Sequence, residues 1–198
     1  MKTQYHHGNL KNELIERGIQ IISEHGHEHL SLRNLSKECG VSHNAIYRHF
    51  ESKEKMIEGC RSYVTIALTQ HLQNTIEGLN PSDPRTINRL SYAYIEYFKK
   101  HPAYFNFIYQ DKTSCKIVFS LEECSGNYPP YEIFRKLCIA LIKEYGLSKE
   151  EGVKRLVKYW SLMQGAVSLI ISPNVKLDGS WDYCLENLFE QGCCKTLS

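Results

Sequence analysis

Residues 31–53, SLRNLSKECGVSHNAIYRHFESK, restrict the fold more than any other part of the chain. Ser31 can cap a short helix that carries Leu32 and Leu35, and Gly40 follows the end of that helix. Ser42 can then cap a second short helix whose outer side is polar. Two short helices joined by a tight turn that contains glycine predict a helix-turn-helix.

The rest of the 198-residue chain also predicts helices. Apolar residues recur with a period near 3.6, whereas the alternating pattern of strands is scarce, so we expect an all-α fold. The predicted helices cover about residues 10–24, 53 onward, 84–100, 103–109, 131–145, 149–172 and 180–191, with an irregular segment between 110 and 130. The predicted N-caps are Asn9, Ser52, Asp83, Ser148 and Ser180, and the glycines predicted to end helices include Gly26, Gly146 and Gly192.

Composition narrows the class of protein. Lys and Arg number 24 against 22 Asp and Glu, so the net charge is only +2 and any nucleic-acid contact must come from local placement of charge. The polar start and the lack of a long apolar run predict a cytoplasmic protein without a membrane segment. Eight cysteines without a CxxC pair predict free thiols.

Several ordered segments in the first third of the chain carry a family resemblance. They are YHHGNL before the first helix, the connection from Gly26 to Leu30, SLRNLSKECGVS, and AIYRHFESKEKMI with Tyr47, Phe50 and Lys53. Together they resemble the DNA-binding domain of the TetR family of transcriptional regulators over roughly residues 5–60. The resemblance implies a three-helix helix-turn-helix domain at 1–55 and a larger helical ligand-binding and dimerisation domain at 56–198.

The resemblance also implies which residues contact DNA. The positions are Ser31, Leu32, Arg33, Ser42, His43, Asn44, Tyr47, Arg48, His49 and Lys53. Among them, His43 and Asn44 would lie near base edges, and Asn can pair with adenine. Tyr47 and Lys53 would lie on phosphates. The alternative is that these are solvated residues on a short helix, with Tyr47 packed inward as we expect for Phe50.

A looser resemblance covers the second part of the chain. His101-Pro-Ala-Tyr-Phe105 and Trp160-x-x-x-Gln164-Gly165 are similar to segments of one ligand-binding subgroup of the family, which usually has His where Gln164 stands. Eight aromatic residues between 92 and 109 could line an apolar pocket, but core packing explains them equally well. The candidate ligand residues are Tyr94, Phe98, Phe105, Tyr109, Trp160 and Gln164.

The last two predicted helices, at 149–172 and 180–191, have apolar faces that one small domain cannot cover. We expect these faces to join two copies in an isologous homodimer. Two-fold symmetry would place two recognition helices about 34 Å apart on palindromic operator DNA. The resemblance implies a regulator, most often a repressor, that a small apolar or aromatic effector releases from the operator.

Other interpretations stay open at this point. An architectural DNA binder would keep the dimer but lack a pocket. A metal-responsive regulator would use His25, His27 and His29, and a thiol-responsive one Cys39 or the pair at 193–194, although exposed histidines and incidental cysteines are the simpler explanation. An enzyme is not expected, because the sequence has no G-x-S-x-G, H-E-x-x-H or P-loop motif, and neither a cofactor nor a metal is expected.

Overall fold

The computed structural model describes residues 10–110, 115–123 and 125–194. Within these residues the chain forms nine α-helices, a 3-10 turn at His27–His29, a π-helical turn at Asn106–Gln110 and no β-strand, which confirms the all-α prediction. None of the helices in this part of the chain is both long and apolar enough to span a membrane. The α-helices are α1 Leu10–His25, α2 Leu32–Glu38, α3 His43–Tyr47, α4 Lys53–Ile76, α5 Pro84–Lys100, α6 Pro102–Phe105, α7 Pro129–Glu144, α8 Lys149–Ile171 and α9 Trp181–Cys194.

Most helices begin at the predicted capping residues. The side chains of Ser42, Ser52, Asp83 and Ser148 each accept a hydrogen bond from a backbone N–H of the following turn, at 2.9–3.2 Å. These bonds satisfy N–H groups that the helix itself leaves without a partner. Ser31 stands at the cap position of α2 without a side-chain capping bond, and the predicted cap Asn9 lies outside the described residues.

The boundaries of three helical segments differ from the prediction. α9 continues through Gly192 to Cys194, so the expectation that this glycine ends the helix is wrong. Glycine ends a helix where its φ is positive, as at Gly26 (φ 91°) and Gly146 (φ 61°). The helical turn predicted at 103–109 divides into α6 and the π-helical turn. α7 begins at Pro129, earlier than predicted, because proline lacks an N–H that a first helical position would leave without a partner.

The contacts between residues divide the described chain into two compact units. The first unit contains residues 10–66 and 103–110, and the second contains 67–102, 115–123 and 125–194. α4 contributes to both, because it is unbroken across the point of division. The predicted domain boundary at residue 55 lies near the start of α4, whereas the two compact units divide after residue 66, near the middle of this helix.

In the first unit, α1 packs on α2 and α2 packs on α3. Leu35 and Ile46 are fully buried between the two short helices, where they fix the angle of the helix-turn-helix. Phe50 is buried as predicted, with its ring against Gly59 in α4. A Cβ atom at Gly59 would lie 2.9 Å from that ring, so the end of the helix-turn-helix is closely packed on α4.

In the second unit, α5 packs on α7, α8 and α9 around an aromatic core. The ring of Trp160 in α8 lies 5.0–5.5 Å from the rings of Tyr94, Tyr131 and Phe134. α8 buries one side of its length here, whereas Leu169 on another side is 49% exposed. A single chain therefore leaves part of the apolar surface of α8 uncovered.

Candidate nucleic-acid interface

The short helix α3 presents most of its side chains to solvent. Ile46 is fully buried and holds the helix to the core, while His43 and Asn44 are exposed and Tyr47 is 45% exposed. The cap at Ser42 fixes where the helix begins, directly after the turn. The polar side of α3 is therefore oriented away from the core.

Tyr47 points outward, unlike Phe50. The rings of His43 and Tyr47 lie edge to face, with their centroids 4.8 Å apart and their planes at 71°. This contact joins two residues four positions apart, the spacing that places side chains on one side of a helix. His43 and Tyr47 therefore share the exposed side of α3.

Basic side chains beside α3 are available to phosphate. Arg33 and Arg48 are exposed, Lys53 is half-buried at the start of α4, and none of the three forms a salt bridge within the described chain. Residues 31–53 contain four Lys and Arg against two Asp and Glu, an excess that the whole composition conceals. Lys37 is also exposed and forms no salt bridge with any described residue, but it was not among the predicted DNA contacts. Its spacing of four from Arg33 places both side chains on one side of α2 and could have identified it.

Two acidic side chains of the first unit are paired with cations. The Nε atom of Arg17 lies 2.6 Å from Oε2 of Glu38. The Nζ atom of Lys55 lies 2.8 Å from Oε2 of Glu58, and this hydrogen bond holds the pKa of Glu58 below its ordinary value. The pairs offset part of the negative charge that would otherwise repel phosphate.

Three of the predicted DNA contacts differ from the others in their surroundings. Leu32 is only 6% exposed, so its side chain belongs to the core. The backbone N–H of Leu32, in the first turn of α2, is the group that it can still offer to a phosphate. Ser31 is half-buried beside it. His49 is exposed and lines, with Lys55, an open groove of about 580 Å³ beside α1 and α4.

Four of the predicted ligand residues meet in the second unit. The rings of Tyr94 and Phe98 are 5.0 Å apart, and those of Tyr94 and Trp160 are 5.5 Å apart. The Gln164 amide donates a hydrogen bond to the Tyr94 hydroxyl at 2.8 Å. These four side chains form one packed cluster with a single amide and hydroxyl pair.

The other two predicted ligand residues, Phe105 and Tyr109, belong to the first unit, where their rings are 5.1 Å apart. Their closeness to Phe98 in sequence gave no sign that the chain changes unit at residue 103. A cavity of about 20 Å³ in the second unit, large enough for one water, is lined by Cys138, Arg155 and neighbouring residues but by none of the predicted ligand residues.

The features considered for metal and thiol sensing gain no support. No group of three or more His, Cys, Asp or Glu side chains among the described residues is placed to hold a metal. Burial, followed by the charge of Glu38, raises the pKa of the Cys39 thiol, whereas a reactive cysteine needs a lowered one. The side chains of the pair at 193–194 lie outside the described part of the chain.

A capped, solvent-facing α3 packed on α2, beside three cations that form no salt bridge with any described residue, is typical of a helix-turn-helix protein. Residues 14–60 match the family described as bacterial regulatory proteins, tetR family. Over these residues the helix-turn-helix is of the TetR-family type.

Two relatives show how far the similarity extends. The HTH-type transcriptional regulator YerO of Bacillus subtilis (strain 168) is 27% identical over 161 residues, which cover 77% of this chain and 51% of YerO. The nucleoid occlusion factor SlmA of Haemophilus ducreyi is 32% identical over 100 residues, which cover 46% of this chain and 49% of SlmA. The chain thus spans about half the length of the curated relatives it matches.

Solved structures extend the likeness in fold to nearly the whole chain. A TetR-family transcriptional regulator from Bordetella parapertussis superposes with a TM-score of 0.67 at 15% identity, covering 96% of this chain and 97% of the other. A TetR-like transcriptional regulator from Rhodococcus sp. RHA1 gives a TM-score of 0.66 at 12% identity, covering 98% and 100%. At these identities the likeness shows the fold alone.

Proposed function

We propose that the protein is a transcriptional regulator that reads palindromic operator DNA with α3. The observation that carries the proposal is that Ile46 anchors this helix while His43 and Asn44 face solvent near its N-terminal end. An α-helix fits the major groove, where Asn can form two hydrogen bonds to adenine. His43 and Asn44 therefore contact base edges.

The residues around α3 bind the phosphates in this proposal. Arg33, Arg48 and Lys53 bring positive charge, and Tyr47 and Ser31 bring hydroxyl donors. Ser42 and His49 also offer polar side chains to the phosphates. Phosphate contacts fix the position and orientation of the helix without reading sequence, and each cation that neutralises a phosphate adds to the salt dependence of binding.

The homodimer is the second part of the proposal. Val157 and Leu169 on α8 are 41% and 49% exposed, and Tyr183 on α9 is 70% exposed. Gly165 adds an open position on α8, where a Cβ atom would meet no other atom within 4 Å. The same faces of a second copy would bury these apolar side chains in an isologous contact.

The third part is that the regulator is a repressor released by a small apolar or aromatic effector. Tyr94, Phe98, Trp160 and Gln164 support it, because their cluster joins apolar rings to an amide and a hydroxyl that can orient a ligand. The close packing of Tyr94 and Phe98, 1% and 0% exposed, favours a second candidate, an architectural DNA binder without an effector.

Selection of duplexes from a random library by the purified chain tests the proposal. We expect enrichment of a two-fold symmetric sequence whose half-sites are about one helical turn apart. The control is a variant with both His43→Ala and Asn44→Ala, which should retain its helical content but enrich no sequence. Failure of the unaltered chain to enrich any sequence would contradict the proposal.

A further inference from the structure

Residues 115–123, which we call the strap, form an irregular segment that is nevertheless fixed to α7. The ring of Phe119 lies 5.5 Å from that of Tyr131, edge to face. The Tyr131 hydroxyl donates a hydrogen bond to the carbonyl oxygen of Val118 at 3.2 Å. The Tyr131 ring in turn lies 5.0 Å from that of Trp160, so the strap covers Tyr131 at the edge of the aromatic core of the second unit.

A buried guanidinium holds the strap. The Arg135 side chain is 5% exposed, and its Nη1 donates to the carbonyl oxygens of Ser120 at 3.3 Å and Glu122 at 3.0 Å. Its Nε donates to both carboxylate oxygens of Glu132, at 2.9 and 3.0 Å. A buried charge is tolerated only when its hydrogen bonds are made, so Arg135 depends on the strap being closed.

A buried amide extends this network. Asn127 accepts a hydrogen bond from the Val118 N–H at 3.0 Å and donates to Oε1 of Glu132 at 2.6 Å. Together, Arg135 and Asn127 hold the strap at every second residue from 118 to 122. These side chains supplement two backbone hydrogen bonds of the strap, from the Tyr128 N–H to the Lys116 carbonyl at 3.0 Å and from the Ser120 N–H to the Val118 carbonyl at 3.1 Å.

Opening the strap would uncover rings without breaking a helix. Phe119 is 36% exposed, while Tyr131 beneath it is fully buried and Trp160 is 5% exposed. We propose that the strap is the lid of the effector site and that Arg135 is its latch. This inference rests on the proposed effector response.

The surroundings of the lid indicate an uncharged aromatic ligand. Arg135 and Glu132 form a salt bridge with each other, so neither charge is available to pair with a charged ligand. A charged ligand would lose its hydration without gaining a partner, which disfavours its binding. The rings of Tyr131, Trp160 and Tyr94 offer edge-to-face contacts to a flat ring. The Gln164 amide and Tyr94 hydroxyl offer one polar contact.

The test measures how fast N-phenyl-1-naphthylamine, an uncharged aromatic dye, binds in stopped flow. Arg135→Met removes the latch, and Phe119→Ala removes the ring over Tyr131 while leaving the latch intact. We expect each to raise the association rate about tenfold, the order expected for loss of a charge-assisted hydrogen bond or of a covering ring. The control, Lys149→Met, breaks the exposed pair between Lys149 and Glu122 on the same strap and should leave the rate unchanged.

Hydrogen exchange of 115–123 reports strap opening in the same variants, and far-UV circular dichroism reports folding. Unchanged dye rates in Phe119→Ala would overturn the lid, as would failure of the dye to bind the unaltered chain and the variants alike. Selection of operator DNA is measured separately. Gated dye binding without operator binding would support the lid and refute the proposed function, whereas operator binding without dye binding would refute the lid alone.

Discussion

Asn44 and Lys53 are expected to contribute to DNA binding in different ways. Asn44→Ala removes a base contact, so it should cost about 1–3 kcal/mol on the best site and relax the preference at one base pair. Lys53→Ala removes a phosphate contact, so it should weaken binding to all sequences alike and lower the salt slope by about one. Titrations of the selected duplex and of single-base variants at several salt concentrations measure both effects.

Lys55→Ala is the matched control for Lys53→Ala. Lys55 is close in sequence but is already paired with Glu58 at 2.8 Å, so its removal should change affinity less. If Asn44→Ala and Lys53→Ala both bind the best site as the unaltered chain does, the assignment of α3 is wrong.

Gly59 tests the packing between the helix-turn-helix and α4. Gly59→Ala places a Cβ atom 2.9 Å from the rigid Phe50 ring, so we expect a loss of about 1–3 kcal/mol in the free energy of unfolding. The loss should be smaller when Phe50→Leu is also present, because the shorter side chain leaves room. Urea unfolding of the four combinations measures the coupling, and an equal cost in both backgrounds would contradict the contact.

Single residues of the core were predictable where helical spacing alone decides burial. Leu35, Ile46 and Phe50 are buried as their spacing indicates. Leu32 was assigned to DNA by its position in the family pattern, although it lies three residues before Leu35 and so shares its side of α2. The helical spacing accounts for the burial of the Leu32 side chain, and its contact with DNA stays a prediction.

At the scale of whole elements, helix starts were more predictable than helix ends. A cap such as Ser148 forms its hydrogen bond with a residue three positions away, so the sequence carries the signal locally. The path of the strap depends on Arg135 and Asn127, and the π-helical turn packs on α1, far away in sequence. Such contacts leave no periodic signal in the sequence.

Acid should weaken the attachment of the strap. Burial raises the pKa of Glu132, but hydrogen bonds from Arg135 and Asn127 outweigh burial and leave this pKa lowered. The stability that ionised Glu132 provides is therefore present above the unfolded-state pKa, about 4.3, and is lost as pH falls through the lowered value. We expect the free energy of unfolding to fall over that acid range.

Glu132→Gln should remove this part of the acid dependence, and Glu150→Gln, at an exposed ion pair with Lys154, should leave it intact. Urea unfolding between neutral and acid pH measures the difference. Identical pH profiles for Glu132→Gln and the unaltered chain would show that the network does not stabilise the fold.

At the scale of the whole molecule, dimer formation should depend on α8. Leu169→Lys replaces an apolar side chain, 49% exposed in one chain, with a charged one. Burial of that charge between two copies would be unfavourable. We expect a shift towards monomer, measured by light scattering over a range of concentrations. Ile66→Lys, at a 67% exposed residue of the first unit, is the control and should keep the dimer.

The whole-molecule arrangement was the least predictable. The sequence has no turn or linker at residue 66, because α4 continues through it. The residues from 103 to 110 likewise carry no sequence signal that they belong to the first unit. The boundary expected at 55 followed the end of the recognisable motif. Contacts between residues distant in sequence, such as those of Tyr104 and Tyr63 with Glu16, determine the division instead.

The central claim is that two copies of α3 read the major groove of one operator. Methylation interference on the selected palindrome tests it most directly, because methylated guanine N7 lies in the major groove. We predict interference at two symmetric groups of bases about one helical turn apart. Binding that is indifferent to N7 methylation throughout the site would contradict the account.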